Sequence, residues 1–282
     1  MKLLVQSDDY GFTKGVVDGC IDAVKNGYLG NTGLFANMPC AEYAVERIKA
    51  YPQICFGIDI NVASGPCVSE PSLLPTLVNQ KTGCFITTKE RLKDPEYANK
   101  TGRPYYEVMI EGRAQIEKFI RLTGKKPEYI APHSTQGEKE YERALSDLGR
   151  EYGIVFRKEV LEKYHFKVVQ TCAAAEYFKE KGITRDSFRS DKEIHQKANI
   201  FSLECQTLPE EDATIRALQK ELDAGSEFVY LGTHCAYVDA DLFAYTRQNI
   251  DRAFDHQLLT SAKVMNWLKE NKIELISYRD LK

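Results

Sequence analysis

Short apolar runs alternate with amphipathic stretches over the whole length of this 282-residue chain. The apolar runs have the length and composition of β-strands, and they lie at residues 3–7, 33–37, 55–62, 128–132, 153–157, 166–170, 200–205, 228–233 and 273–277. The stretches between them show helical periodicity, as at residues 16–26, 105–122, 138–152, 215–224 and 246–270. This alternation predicts parallel βαβ units. About eight strands are typical of an α/β fold of the (β/α)-barrel, TIM-like kind, complete or with one strand irregular.

The length of the chain suits a single (β/α)-barrel domain, which we expect to cover residues 1–282. Residues 64–104 interrupt the alternation, because they combine several prolines and glycines with little periodicity. A segment of this length exceeds an ordinary connection between elements. It predicts either an active-site lid or an inserted loop.

Composition excludes several classes of partner. The net charge of -3, with 28% charged residues, shows no signature of binding to nucleic acid or to an anionic membrane. The apolar run at the N-terminus ends at Gln6, too early for a signal peptide, and no apolar stretch approaches the roughly 20 residues that span a bilayer. We therefore expect a small, weakly charged partner, and a homodimer is compatible with these features.

The eight cysteines are scattered along the chain, and no two of them form a C-x-x-C pair. Most lie in apolar surroundings, which is typical of reduced thiols in a protein core and not of zinc clusters or disulfides. The cysteines therefore predict a cytoplasmic protein.

Asp8 and Asp9 are two consecutive carboxylates at the point where the first apolar run stops. The carboxyl ends of the strands are where α/β-barrel enzymes carry their active sites. Adjacent carboxylates repel each other, so holding both at a buried strand end costs free energy unless a cation or a proton is present. The pair therefore predicts a metal site.

Asp59 lies in a run whose period-2 pattern sends Gly57, Asp59 and Asn61 to one face of the strand. A carboxylate that points into a barrel interior is costly unless it is paired or binds a metal. The alternative is an Asp bonded to backbone amides or to a neighbouring Lys or Arg, which is the commoner role of a single buried Asp. Its coincidence with Asp8 and Asp9 favours a metal ligand.

His133 follows the strand-like run at residues 128–132, so it too is expected at a strand end. Neutral imidazole is a frequent ligand of transition metals, and two carboxylates with one His form a catalytic zinc pattern that leaves a position open for water. A lone His is more often structural, and both roles stay open for His133.

His234 ends a third strand-like run and is followed by a turn that begins with Cys235. It could serve as a fourth metal ligand or as a general acid, since an unperturbed pKa of about 6.5 suits proton transfer near neutral pH. We favour the acid, because three protein ligands suffice for a catalytic metal.

A series of short motifs follows along the chain: SDDYG at 7–11, NMP at 37–39, GIDINV at 57–62, EGRAQI at 111–116, HS at 133–134, HCAYVD at 234–239 and ELISYRDL at 274–281. Their order and spacing resemble the YdjC-like carbohydrate deacetylases, nearly from end to end.

The resemblance implies a barrel related to polysaccharide deacetylases, in which a metal-bound water attacks the acetamide carbonyl. The implied substrates are small acetylated amino-sugar oligosaccharides such as chitooligosaccharides, often phosphorylated, which lose their N-acetyl groups. Carried over by position, Asp8 resembles the family's general base, and His234 resembles its catalytic acid. Asp9 and His133 resemble its metal ligands. Arg157 matches, more weakly, a family Arg near the substrate.

The chain departs from the family pattern at Asp59, where the family has a His. Two carboxylates and one imidazole then replace one carboxylate and two imidazoles, which shifts the expected preference toward harder ions. Mg²⁺ is the expected cofactor, with Zn²⁺ and Mn²⁺ as alternatives. The chain also reads His234-Cys235-Ala236 where the family has His-Pro-Gly.

Two other functions remain open. In a glycoside hydrolase, Asp8 or Asp9 would pair with Glu204, since two adjacent carboxylates are too close to flank a glycosidic bond. A sugar-binding paralogue without turnover is the other alternative, because Asp59 and the residues after His234 depart from the family pattern.

Overall fold

The computed structural model describes residues 1–87, 90–91, 102–134, 137–171, 209–246 and 249–281. The described strands are β1 (Lys2–Tyr10), β2 (Asn31–Leu34), β3 (Cys55–Ile60), β4 (Val78–Asn79), β5 (Cys84–Phe85), β6 (Tyr129–Pro132), β7 (Val155–Phe156), β8 (Lys167–Gln170), β9 (Phe228–Thr233) and β10 (Glu274–Ile276). The α-helices among these residues are Lys14–Asn26, Ala41–Ile48, Tyr105–Thr123, Lys139–Tyr152, Arg157–Lys163, Pro209–Asp223, Ala240–Tyr245, Ile250–Leu259 and Ala262–Glu270.

The first of two compact units is built on the N-terminal part of β1. It comprises the described residues of Met1–Ser7, Gly15–Gly30 and His165–Ser277. Within it, β1 pairs in parallel with β9 and with β10, and β8 pairs in parallel with β9. Leu3, Leu4 and Val5 are buried in its core.

The second unit contains the central strand β3. It comprises the described residues of Asp8–Lys14, Asn31–Tyr164 and Tyr278–Lys282. Its strands follow the order β2, β3, β6 and β7, and every pair is parallel. All six residues of β3 are buried, as expected where both faces of a parallel sheet are covered.

The predicted α/β fold class is confirmed, since strands alternate with helices and the main sheet of each unit is parallel. The strand predicted at residues 200–205 lies outside the described residues. That the whole chain forms one barrel domain stays a prediction.

The described part of residues 64–104 is hydrogen-bonded to the following helix, Tyr105–Thr123. It contains a short antiparallel pair, β4 with β5. The buried carboxylate of Glu111 accepts the N–H groups of Val68 and Ser69, and that of Glu107 accepts those of Thr76 and Leu77. Whether the segment is a lid or an inserted loop stays a prediction.

The amphipathic stretch at residues 246–270 forms two helices and not one. Ile250–Leu259 ends before Ser261, whose side chain accepts the N–H of Val264 and begins the helix Ala262–Glu270. Serine is a favoured N-cap residue, because its hydroxyl binds an otherwise unsatisfied N–H group of the first turn.

No helix in the described ranges is long and apolar enough to cross a bilayer. The described cysteines form no disulfide: Cys20, Cys40, Cys55, Cys67, Cys84 and Cys235 are free thiols. The cytoplasmic location stays a prediction.

Candidate active site at the strand ends

Asp8 and Asp9 lie within the last residues of β1, which continues to Tyr10 and does not stop at Ser7 as the sequence predicts. Asp9 is buried, and its φ of 69° lies in the left-handed region. Few residues other than glycine adopt this conformation, although Asp tolerates it better than most. Asp8 and Asp9 therefore differ in backbone conformation, since Asp8 is not in the left-handed region.

Asp59 is fully buried in β3, and its carboxylate binds the backbone of Asp9. Asp59 Oδ2 accepts the Asp9 N–H at 2.8 Å. Asp59 Oδ1 is buried without a hydrogen-bond partner among the described residues. Burial, followed by the nearby charge of Asp8, holds the pKa of Asp59 well above its usual range.

Gly33 provides the space that the Asp59 carboxylate occupies. A β-carbon built on Gly33 would lie 1.9 Å from Asp59 Oδ1. Gly33 lies in β2, which pairs with β3. Any side chain at position 33 would therefore displace the carboxylate.

His133 follows β6 and pairs with Asp9. Its Nδ1 lies 2.9 Å from Asp9 Oδ1, and its Nε2 lies 3.0 Å from Ser134 Oγ. The Tyr141 hydroxyl accepts the His133 N–H at 3.1 Å and donates to the Ile60 carbonyl at 2.6 Å. The imidazole is thus held beside Asp9 at the ends of β1, β3 and β6.

Arg157 pairs with Asp8. It begins the helix Arg157–Lys163, is buried, and places Nη1 at 3.0 and 2.9 Å from the two carboxylate oxygens of Asp8. An ion pair of this kind orients the carboxylate and stabilises its charge. Contact of Arg157 with a substrate, as the sequence predicts, stays a prediction.

Asp9 and His133 are the residues of this cluster that would hold a divalent cation, since carboxylate and imidazole are both ligands of such ions. Among the described residues, no three His, Cys, Asp or Glu side chains form a group that could hold a metal ion. Asp9 Oδ1 and His133 Nδ1 are 2.9 Å apart, which is the distance of a direct hydrogen bond or ion pair between the two side chains. The role of Asp59 as a third ligand stays a prediction.

His234 lies in the first unit, directly after β9. It begins a segment of four residues whose backbone N–H groups all donate hydrogen bonds. The N–H groups of His234, Cys235, Ala236 and Tyr237 donate in turn to Asp255 Oδ2 at 2.6 Å, Ser7 Oγ at 2.9 Å, the Arg252 carbonyl at 3.2 Å and the Gly15 carbonyl at 3.0 Å. Four consecutive N–H groups are therefore held from β1 and two helical regions. The role of His234 as an acid stays a prediction.

Asp255 is a buried carboxylate that sequence reasoning missed. Burial is the largest effect on it and raises its pKa to about 7, although the His234 N–H and the Thr171 hydroxyl bind the carboxylate. Asp255 lies within an amphipathic stretch, where a single Asp gives no signal of burial. Glu204, the partner required by a glycoside hydrolase, lies outside the described residues.

Comparison with known proteins points to one family. A family model described as YdjC-like protein matches residues 2–270. Carbohydrate deacetylase 2 of Listeria innocua is 28% identical over 285 residues, which cover 100% of this chain and 99% of that protein. The carbohydrate deacetylase of Thermoanaerobacter pseudethanolicus is 25% identical over 280 residues, with 99% of each chain covered.

A crystal structure from Enterococcus faecalis V583 shows the same fold. That protein, to which cellobiose-phosphate cleavage is ascribed, superposes with a TM-score of 0.71 at 19% identity, covering 99% of this chain and 98% of that chain. At this identity the likeness shows the fold alone, and it confirms the predicted fold class. The family match over nearly the whole chain also confirms the predicted resemblance, and the chain belongs to the YdjC-like protein family.

Proposed function

We propose that this protein is a metal-dependent carbohydrate deacetylase. Its substrates would be small oligosaccharides of N-acetylated amino sugars, including phosphorylated ones, and its products acetate and a free amino sugar. Relatives that match over their whole length are named carbohydrate deacetylases. The observation that carries the proposal is the cluster at the strand ends, where Asp8 is paired with Arg157 and Asp9 with His133.

Asp9 and His133 are the residues that would hold the ion, with Mg²⁺ expected and Zn²⁺ or Mn²⁺ as alternatives. A divalent ion supplies Lewis acidity, which polarises a carbonyl and lowers the pKa of water. The contact of His133 Nδ1 with Asp9 Oδ1 at 2.9 Å supports this assignment, since it brings a carboxylate and an imidazole together at one strand end.

Asp8 is the proposed general base. Its two carboxylate oxygens accept contacts from Nη1 of the buried Arg157 guanidinium, which orients the carboxylate to take a proton from the attacking water. His234 is the proposed acid and would protonate the departing amine. Its backbone is fixed by the contacts of residues 234–237.

Acetate release tests the proposal. Purified protein is incubated with Mg²⁺, Mn²⁺ or Zn²⁺ and N-acetylated chitooligosaccharides, with and without a phosphate group, and acetate is measured by an enzyme-coupled assay. We expect acetate from wild-type protein and almost none from Asp8→Asn or after chelation of the metal. Absence of acetate under all these conditions, while a deacetylase of the same family works alongside, would contradict the proposal.

The same reactions separate the two alternative functions. New reducing ends that appear without acetate would identify a glycoside hydrolase, which needs a pair of carboxyl groups and no metal. Saturable binding of the oligosaccharide without either product would identify a sugar-binding paralogue.

A further inference from the structure

The Asp59 carboxylate contacts the backbone of Asp9, although its position in the sequence predicts a metal ligand. Asp59 Oδ2 accepts the Asp9 N–H at 2.8 Å, and this hydrogen bond is buried. The other oxygen, Oδ1, lies over Gly33, where a β-carbon would be 1.9 Å away. One oxygen is thus bonded to the backbone of β1, and the other lies against the backbone of β2.

Asp9 has a backbone conformation that such a hydrogen bond can support. Its φ of 69° is in the left-handed region, which is unfavourable for residues that carry a β-carbon. In the same turn, the Phe12 N–H donates to the Asp9 carbonyl at 3.0 Å. The hydrogen bond that Asp9 donates to Asp59 therefore stabilises a strained residue, whose Oδ1 lies 2.9 Å from His133 Nδ1.

We propose that Asp59 is a positioning residue, which fixes the Asp9 backbone so that the Asp9 carboxylate reaches His133, and that it is not a third metal ligand. The positioning of Asp9 by Asp59 does not require a bound metal, because the hydrogen bond joins two residues of the protein. The statement about ligands rests on the proposed function, in which Asp9 and His133 hold the ion.

Amide hydrogen exchange at Asp9, measured by NMR on the metal-free protein, tests the positioning role. Asp59→Ala removes the acceptor, so we expect exchange at the Asp9 N–H to accelerate by about tenfold or more, as for loss of a buried hydrogen bond. Asp59→Asn keeps a carbonyl oxygen of the same reach and should stay within about threefold of wild type. Unchanged protection of Asp9 in Asp59→Ala would overturn the proposal.

Asp255→Ala is the matched control, because it also removes a buried carboxylate that accepts a backbone N–H. It should accelerate exchange at His234 and leave Asp9 protected. Gly33→Ala should reproduce the Asp59→Ala effect at Asp9, since its methyl group displaces the carboxylate. Combining Gly33→Ala with Asp59→Ala should add little, as expected for two changes that act through one contact.

Binding of Co²⁺, followed by its visible spectrum, tests the ligand statement. We expect Asp59→Asn to give the wild-type spectrum and a Kd within about threefold of wild type, whereas Asp9→Asn should weaken binding by about tenfold or more. A spectrum altered in Asp59→Asn as it is in Asp9→Asn would overturn the proposal. If wild-type protein binds no Co²⁺, the proposed metal chemistry fails, and exchange at Asp9 still decides the positioning role.

Discussion

The end of β1 and the segment after β9 hold their polar groups in different ways. At the end of β1, each residue is fixed by one side chain: Asp59 accepts the Asp9 N–H, and Arg157 donates to the Asp8 carboxylate. After β9, four consecutive backbone N–H groups of residues 234–237 bind acceptors from β1 and two helical regions. One substitution can therefore remove the contact that holds Asp8 or Asp9. After β9, one substitution removes at most one of several hydrogen bonds along the segment.

This difference predicts where substitutions act. At the end of β1, a single change should alter the chemistry while the fold persists. In the segment after β9, a change should first lower stability, and its effect should be smaller because the other N–H groups remain bonded.

The largest effect is expected for Asp8→Asn. Removal of the general base should lower the rate of acetate release by about 10²- to 10⁴-fold. Metal affinity and thermal stability should stay close to wild type, because Asp9 and His133 are unchanged. The measurement is steady-state kinetics beside a metal titration. A loss of less than tenfold would show that Asp8 is not the base.

Asp255→Ala should be the most damaging change in the segment after β9. It leaves the part-buried His234 N–H without its acceptor, which costs about 1–3 kcal/mol of unfolding free energy. Asp255→Asn retains an acceptor oxygen and should lose less. Urea denaturation of wild type, Asp255→Ala and Asp255→Asn at one pH measures the loss of unfolding free energy in each variant. Equal stability of the two variants would contradict the role of this hydrogen bond.

The stability difference between Asp255→Asn and wild type should depend on pH. Burial raises the pKa of Asp255 to about 7, with Asp251 and Arg252 as the neighbouring charges, whereas an unfolded Asp titrates near 3.9. Between about pH 4 and pH 7 the folded protein therefore binds more protons than the unfolded chain at this group, and wild-type stability falls as pH rises.

Asparagine at position 255 removes that dependence. The difference in Tm, variant minus wild type, should thus be more positive at pH 8 than at pH 5. Thermal denaturation at the two pH values measures it. The same difference at both would mean that Asp255 is ionised in the fold throughout this range.

The smallest effect is expected for Ser7→Ala. The Cys235 N–H then loses its acceptor, but its neighbours keep theirs, so we expect a loss of about 1 kcal/mol of unfolding free energy and a rate of acetate release close to wild type. A large loss of activity would show that the segment after β9 depends on one contact as strongly as the end of β1 does.

The sequence predicts much of the cluster at the strand ends because parallel strands place their carboxyl ends together. Asp9 contacts both Asp59 and His133. The direction of the Asp59 carboxylate follows from the left-handed turn at Asp9 and the space at Gly33, and neither is encoded in a period-2 pattern.

Other contacts could not be predicted because the partners are far apart in the chain. Arg157 and Asp8 are 149 residues apart, and no local pattern relates them. Asp255 lies in a stretch whose helical pattern gives no reason to expect a buried carboxylate. Helix boundaries such as the break before Ser261 depend on a single capping hydroxyl.

The central claim is that Asp9 and His133 hold a divalent ion at the end of β1. Isothermal titration of Mn²⁺ into wild type, Asp9→Asn, His133→Gln and Asp255→Asn tests it most directly. We predict one site in wild type and Asp255→Asn, and affinity reduced by about tenfold or more in the other two proteins. Equal affinity in wild type, Asp9→Asn and His133→Gln would contradict the claim.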